Sequence, residues 1–200
     1  MQAAIGRLVQ FLIRMEVIRE EDAEIYRYGF WSGFLLAANV LVSVILLAVT
    51  GRMESGLLYM FFLICLRSYA GGYHSDSALR CFFLSQGSLV VSAFLADWLY
   101  GKIGGTNRWY FFISAFVMAL VIIRFAPYEA KSKPLSDSEK SFYKKVAAGI
   151  LLLLAGLAAI RMYMGYYRVL AVWCVLDLSV LVMYLAAVVK GAGNDTGSDL

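Results

Sequence analysis

The one histidine of the chain, His74, and a cysteine seven residues later, Cys81, are the side chains best suited to chemistry. A thiol with an ordinary pKa of about 8.5 is mostly protonated at neutral pH, so a nucleophilic cysteine needs a base or a positive field beside it. His74 alone here has an unperturbed pKa close to neutrality. Spacing then sets a condition. On one continuous helix, seven residues return to nearly the same face but separate the groups by about 10 Å of axial rise, against the ~3 Å that proton transfer requires. The chain must therefore bend between them. Gly71-Gly72 supplies permissive backbone just before His74, and Ser75, Asp76 or Ser77 can cap a helix carrying Cys81 in its opening turns. The helix dipole acts mainly within the first turn, which leaves most of the activation to His74.

The same two residues also suit a blander reading, a small packing cysteine near a polar loop. Cys65 and Cys174 lie in apolar runs and read as packing residues. A single histidine and scattered cysteines match no compact metal-ligand spacing, and no cofactor is expected. Beyond Cys81, Ser85, Ser88 and Ser92 continue at i+4, i+7 and i+11. This small polar stripe could line a peptide cleft or could let membrane helices pack closely.

The elements that carry these residues are set by an unusual solvent. Apolar residues make up 62% of the 200-residue chain and charged residues 16%, below the ~25% of soluble domains, and the mean hydropathy is +0.72. The apolar residues form blocks at Phe30–Thr50, Ser55–Leu66, Phe82–Tyr100, Trp109–Phe125, Val146–Met164 and Arg168–Val189. A membrane span needs about 20 residues, so Ser55–Leu66 is the ambiguous block. Backbone in hydrocarbon must satisfy its own hydrogen bonds, and the blocks do not alternate as barrel strands would. The expected fold class is all-α, a polytopic membrane bundle of about six helices, as one domain over residues 1–190. Residues 3–28 pattern as an amphipathic segment lying on the membrane or docked on the bundle, and 191–200 as a disordered tail.

With six spans and a cytoplasmic N-terminus, only Arg52, Lys102, Arg108, Arg161 and Arg168 of the 18 basic residues fall outside. Excess Lys and Arg mark cytoplasmic loops, so both termini are expected inside. No cleavable signal peptide is expected, because the first long apolar run begins only near Phe30. If Ser55–Leu66 dips in and returns, the N-terminus changes sides. The net charge of +4 follows from this topology, and nothing indicates nucleic-acid binding.

Two segments carry a family resemblance. Arg67, Ala70-Gly71-Gly72-Tyr73-His74 and Cys81 together resemble the accessory gene regulator B (AgrB) family of Gram-positive quorum-sensing peptide processors. Phe125-Ala126-Pro127-Tyr128-Glu129-Ala130-Lys131-Ser132-Lys133-Pro134-Leu135 is similar to that family's proline- and lysine-containing loop, although Ser132 interrupts what can be a continuous lysine run. The resemblance covers most of residues 30–190. It implies a membrane cysteine endopeptidase that cuts a short membrane-associated, AgrD-like propeptide and cyclises it to a thiolactone or lactone, with a homodimer possible. It further implies Cys81 as nucleophile, His74 as base, and supporting functions for Arg67, Gly72, Lys131 and Lys133. Ser85 is added from the stripe.

Other residues leave alternatives open. Asp177 lies near the middle of the last block, where a charge is expensive. It could be protonated and hydrogen-bonded between helices, or could orient His74. Asp97 lies near enough to the outer end of its block to reach the interface. The Lys131–Lys145 run could anchor anionic lipid or attract an acidic propeptide segment. Against the enzyme stand two other classes, a non-enzymatic peptide transporter or receptor using the serine stripe and Asp177, and a structural membrane subunit.

Overall fold

The computed structural model describes residues 2–70, 78–127 and 136–195. These form α1 (Gln2–Arg14), a short 3-10 turn (Glu20–Asp22), α2 (Ala23–Val49), α3 (Met53–Ala70), α4 (Ala78–Tyr100), α5 (Arg108–Phe125), α6 (Asp137–Tyr163) and α7 (Arg168–Asp195), with no strand among the described residues. The all-α membrane bundle expected from the sequence is the fold. Two compact units divide the chain, residues 1–45 and 46–200.

In the first unit the amphipathic pattern ends sooner than residue 28. Glu16 adopts φ 57°, a left-handed conformation uncommon outside glycine, and α1 stops at Arg14. Glu20, Glu21 and Asp22 then form the 3-10 turn, and acids at that position favour the positive end of a helix starting there. Accordingly α2 begins at Ala23, and residues 23–28 belong to the long apolar helix rather than to the amphipathic segment.

The second unit holds the bundle. Among the described residues, five segments are long and apolar enough to cross a membrane: Leu79–Tyr100, Arg108–Phe125, Asp137–Tyr163 and Arg168–Val189 in this unit, and Glu20–Val49, which lies mostly in the first. The ambiguous block Ser55–Leu66 turns out to be the middle of α3, an unbroken helix of 18 residues, about 27 Å long at 1.5 Å per residue. Ser55 in its first turn hydrogen-bonds Asp97 near the end of α4. Arg67 in its last turn shares a cavity with Cys81 near the start of α4. α3 therefore runs the height of the bundle and does not dip and return. Close approach helps it pack: a Cβ on Gly56 would overlap the side chain of Leu47.

Two boundaries move for local reasons. α6 begins at Asp137, nine residues before the expected block at Val146, because Ser136 and Glu139 form a reciprocal cap. The Glu139 backbone N–H donates to Ser136 Oγ, and the Ser136 N–H donates to Glu139 Oε2 at 2.9 Å. The S-x-x-E pattern that encodes such a cap is visible in the sequence. Lys140, Lys144 and Lys145 consequently stand on a helix rather than in a loop. At the other terminus α7 continues to Asp195, past Gly191, where the tail was expected to begin; residues 196–200 lie outside the described residues.

One end of the bundle is clasped by charge. Asp97 receives Arg52 Nη1 at 2.6 Å, Arg168 Nη1 at 2.6 Å and the Ser55 hydroxyl, while Arg168 Nε meets Glu54 at 3.0 Å. Asp97, expected near the outer end of its block, lies near the end of α4 and is the hub joining it to the starts of α3 and α7, its side chain 13% exposed. Trp98, Trp109, Tyr110, Tyr163 and Tyr166 are exposed around this same end, the interfacial position that amphipathic rings favour.

Removing one partner of a buried ion network costs about 3–5 kcal/mol, whereas an exposed pair contributes ~0–1 kcal/mol. Asp97→Asn should therefore lower the thermal unfolding midpoint of the detergent-solubilised protein markedly. Glu54→Gln, at a side chain 67% exposed, should leave it nearly unchanged. Tryptophan fluorescence on heating reads both, and equal shifts would contradict the hub.

Candidate active site

At the opposite end, Cys81 stands in the first turn of α4, the position expected for it; the residues expected to cap that helix, 75–77, lie outside the described residues. It is half-buried and unpaired to another cysteine. Cys81, Ser85 and Ser88 of α4, Leu63 and Arg67 of α3, and Val182, Met183 and Ala186 of α7 surround a cavity of about 180 Å³. Arg67 and Ser85, singled out by resemblance and by the stripe, thus meet at the cysteine. His74, Gly72, Lys131 and Lys133 lie outside the described residues.

The serine stripe divides into two parts. Ser85 and Ser88 face the cavity, with the Ser85 hydroxyl donating to the Phe82 carbonyl at 2.8 Å. Ser92 is buried one turn deeper and lies 3.4 Å from Ser179 of α7. Near the cysteine the small residues leave space; farther in, they let two helices approach. The packing reading holds for Ser92, while Ser85 and Ser88 line the cavity beside Cys81.

α7 sets the geometry of this end. The Tyr184 hydroxyl is buried and donates to the carbonyl of Ala70 at 3.0 Å. Ala70 is the last residue of α3, where carbonyls lack an intrahelical partner. The same stretch of α7, residues 182–186, walls the cavity beside Cys81. Tyr69 also packs edge-on against Tyr143 of α6, with ring centroids 5.8 Å apart. The end of α3, from which the chain leaves toward Gly71, is therefore tied to α6 and α7 in fixed relation to the cysteine. Nothing in the sequence singled out Tyr184 except a phenol inside an apolar block.

Asp177 departs from expectation. It is fully buried, yet neither carboxyl oxygen has a hydrogen-bond partner among the described residues, and the Tyr59 hydroxyl and Trp173 indole N–H are likewise unpartnered. Trp173 precedes Asp177 by one helical turn and is its neighbour, but the pair falls short of hydrogen-bond geometry. The interhelical bond anticipated for Asp177 is absent here, because its helix is enclosed over these turns by apolar side chains. Cys174 is a packing residue, its Sγ 3.5 Å from the Phe111 carbonyl. No group of three or more potential metal ligands occurs among the described residues.

The family model for accessory gene regulator B matches residues 5–187. The chain belongs to that family. A curated relative, the putative AgrB-like protein 2 of Clostridium perfringens (strain 13 / Type A), is 27% identical over 140 residues, 67% of this chain and 63% of the relative. The chain thus spans under two thirds of that AgrB-like protein's length. No solved structure matches the chain.

Leaving the Ala70 carbonyl unsatisfied in a buried setting costs about 1–3 kcal/mol. Tyr184→Phe, which removes one oxygen and little volume, should therefore loosen the end of α3. Amide exchange over Leu66–Ala70 should quicken while α5 keeps its protection. Unchanged exchange at the α3 end would show that the phenol contributes packing alone.

Proposed function

We propose that this AgrB-family protein is a membrane cysteine endopeptidase and peptide cyclase acting on a short membrane-associated propeptide. The observation that carries the reading is the cavity in which Cys81, at the start of a membrane helix, faces Arg67 and Ser85. Membership of the accessory gene regulator B family over residues 5–187 supports it.

The reaction runs by acyl transfer. His74 takes the thiol proton, and the Cys81 sulfur attacks the scissile carbonyl. Collapse of the tetrahedral adduct breaks the C–N bond, and the departing amine of the propeptide's C-terminal segment takes up the proton. The remaining thioester keeps its acyl-transfer potential, so an internal Cys or Ser of the peptide can attack it, closing a thiolactone or lactone and releasing Cys81. Hydrolysis would discard that potential. Leu63, Leu84, Val182, Met183 and Ala186 give the cavity an apolar wall, which supports exclusion of water from the acyl-enzyme. A space of about 180 Å³ equals roughly six waters at ~30 Å³ each. It accommodates the residues flanking the scissile bond and leaves the rest of the peptide along the bundle surface. Arg67 is suited to hold a carbonyl or carboxylate of the substrate, and Lys131 and Lys133 to attract an acidic segment of it.

The catalytic end is the cytoplasmic one in this reading. Arg52, Lys102, Arg108, Arg161 and Arg168, the basic residues assigned outside, belong to the charge-clasped end, and the positive-inside rule puts the more basic end in the cytoplasm. A transporter using the serine stripe as a path is less well supported, because Ser92 and Ser179 meet below the cavity.

Co-expression with the cognate propeptide tests the chemistry. Mass spectrometry should find no cleavage with Cys81→Ala, and a rate lower by about 10²–10⁴ with His74→Ala, the range for a lost general base. Intact processing by Cys81→Ala would remove the enzyme reading. Orientation is tested separately with single cysteines in a background lacking the other three. A membrane-impermeant maleimide should label Thr106→Cys in intact cells, and Ser138→Cys only after permeabilisation.

A further inference from the structure

A second and larger cavity, about 500 Å³, opens at the charge-clasped end, away from Cys81. Its floor is apolar, made by Leu58 and Phe62 of α3, Leu157 of α6 and Val169 of α7. Its rim is polar, with Glu54, Arg161 and Arg168 among tyrosines. The two rim guanidiniums are pre-oriented. Arg168 lies 4.6 Å above the Tyr100 ring, and Arg161 lies 5.3 Å above the Tyr166 ring.

Charge at this rim is unevenly matched. Asp97 and Glu54 between them engage Arg52 and Arg168, so two anions answer two cations. Arg161, in the last turn of α6, has no carboxylate partner among the described residues. One guanidinium is thus held over a concave site with its charge unmatched, in a form suited to a phosphate.

The apolar side of the cavity does not end at its floor. Leu157 belongs to a face of α6 with Leu153 four residues before it and Ile160 three after. These are exposed by 59% (Leu153), 38% (Leu157) and 60% (Ile160). In a bilayer such a face lies against hydrocarbon, and it runs to Arg161 at the level of the exposed Tyr163 and Tyr166 rings, where headgroups begin. A free phosphate would use only the rim. A molecule with both an acyl chain and a phosphate uses the rim, the floor and the α6 face together.

We propose that this cavity binds one glycerophospholipid, its phosphate on Arg161 and an acyl chain over Leu157 and Phe62. Nothing in the proposed peptidase reaction requires this site, so the two stand or fall separately.

The test is native mass spectrometry of the full-length protein released from detergent with phosphatidylglycerol added. The wild type should retain one phosphatidylglycerol. Arg161→Gln should retain about tenfold less, and Arg124→Gln at the other end of the bundle should match wild type. Leu157→Trp, which fills the floor from a partly exposed position, should also lose the lipid with Arg161 intact. Equal retention by Arg161→Gln would overturn the proposal. So would equal retention of the diacylglycerol with the same chains, which lacks the phosphate. Occupancy by inorganic phosphate that displaces the lipid at equal concentration would overturn it as well, marking a simple anion site.

Discussion

From Leu170 to Asp177 every residue of α7 is buried, a run longer than two helical turns with no face left to lipid or water. α3, α4, α5 and α6 all pack against this helix. In hydrocarbon there is no hydrophobic force to drive helices together, so close packing and interhelical polar contacts must hold them. α7 supplies both: Ala171 and Val172 allow close approach, Trp173 packs edge-on to Phe112 of α5 at 5.4 Å, and Arg168 and Tyr184 make polar contacts toward its two ends. Each neighbour is located by its contact with α7, and with it whatever side chains it carries.

The two ends then serve different needs. At one, Asp97 gathers Arg52, Arg168 and Ser55, and opposite charges at short range in a partly shielded setting fix three helices together. At the other, the ties include a neutral phenol on a helix-end carbonyl and a pair of tyrosines packed edge-on. These place α3 without adding charge beside Cys81. In the proposed reaction, nearby carboxylates would oppose the Cys81 thiolate. Among the described residues that line its cavity there is an arginine and no acid. The clasp sits a bundle length from the cysteine, where its anions do little to the sulfur.

Several features were legible in order and spacing alone. Helical spans follow from long apolar blocks because the bilayer leaves the backbone no other partner. The placing of Cys81 in an opening helical turn was expected from the run of cap-forming residue types before it, and the family from the joint pattern around Gly71–His74 and Pro127–Lys133. The start of α6 was equally present, in Ser136 and Glu139, but a hydropathy reading passes over a polar cap. α3 was harder. Glu54, Ser55 and Arg67 shorten its apolar block, yet they are where its polar groups are needed, at the ends that meet Asp97 and the cysteine cavity.

Sequence by itself determined the class of fold and the family, since both depend on composition or on neighbours along the chain. Tertiary structure alone decided that Arg67 and Ser85 share one cavity with Cys81, that Asp97 is a hub, that Tyr184 ties the end of α3, and that Asp177 is enclosed without a hydrogen-bond partner among the described residues. The Asp97–Ser55 and Tyr184–Ala70 contacts join residues 42 and 114 positions apart, and the Cys81 cavity gathers side chains from three helices. Such meetings are set by which faces of the helices pack together, and hydropathy blocks record how long a helix is and not which way it is turned.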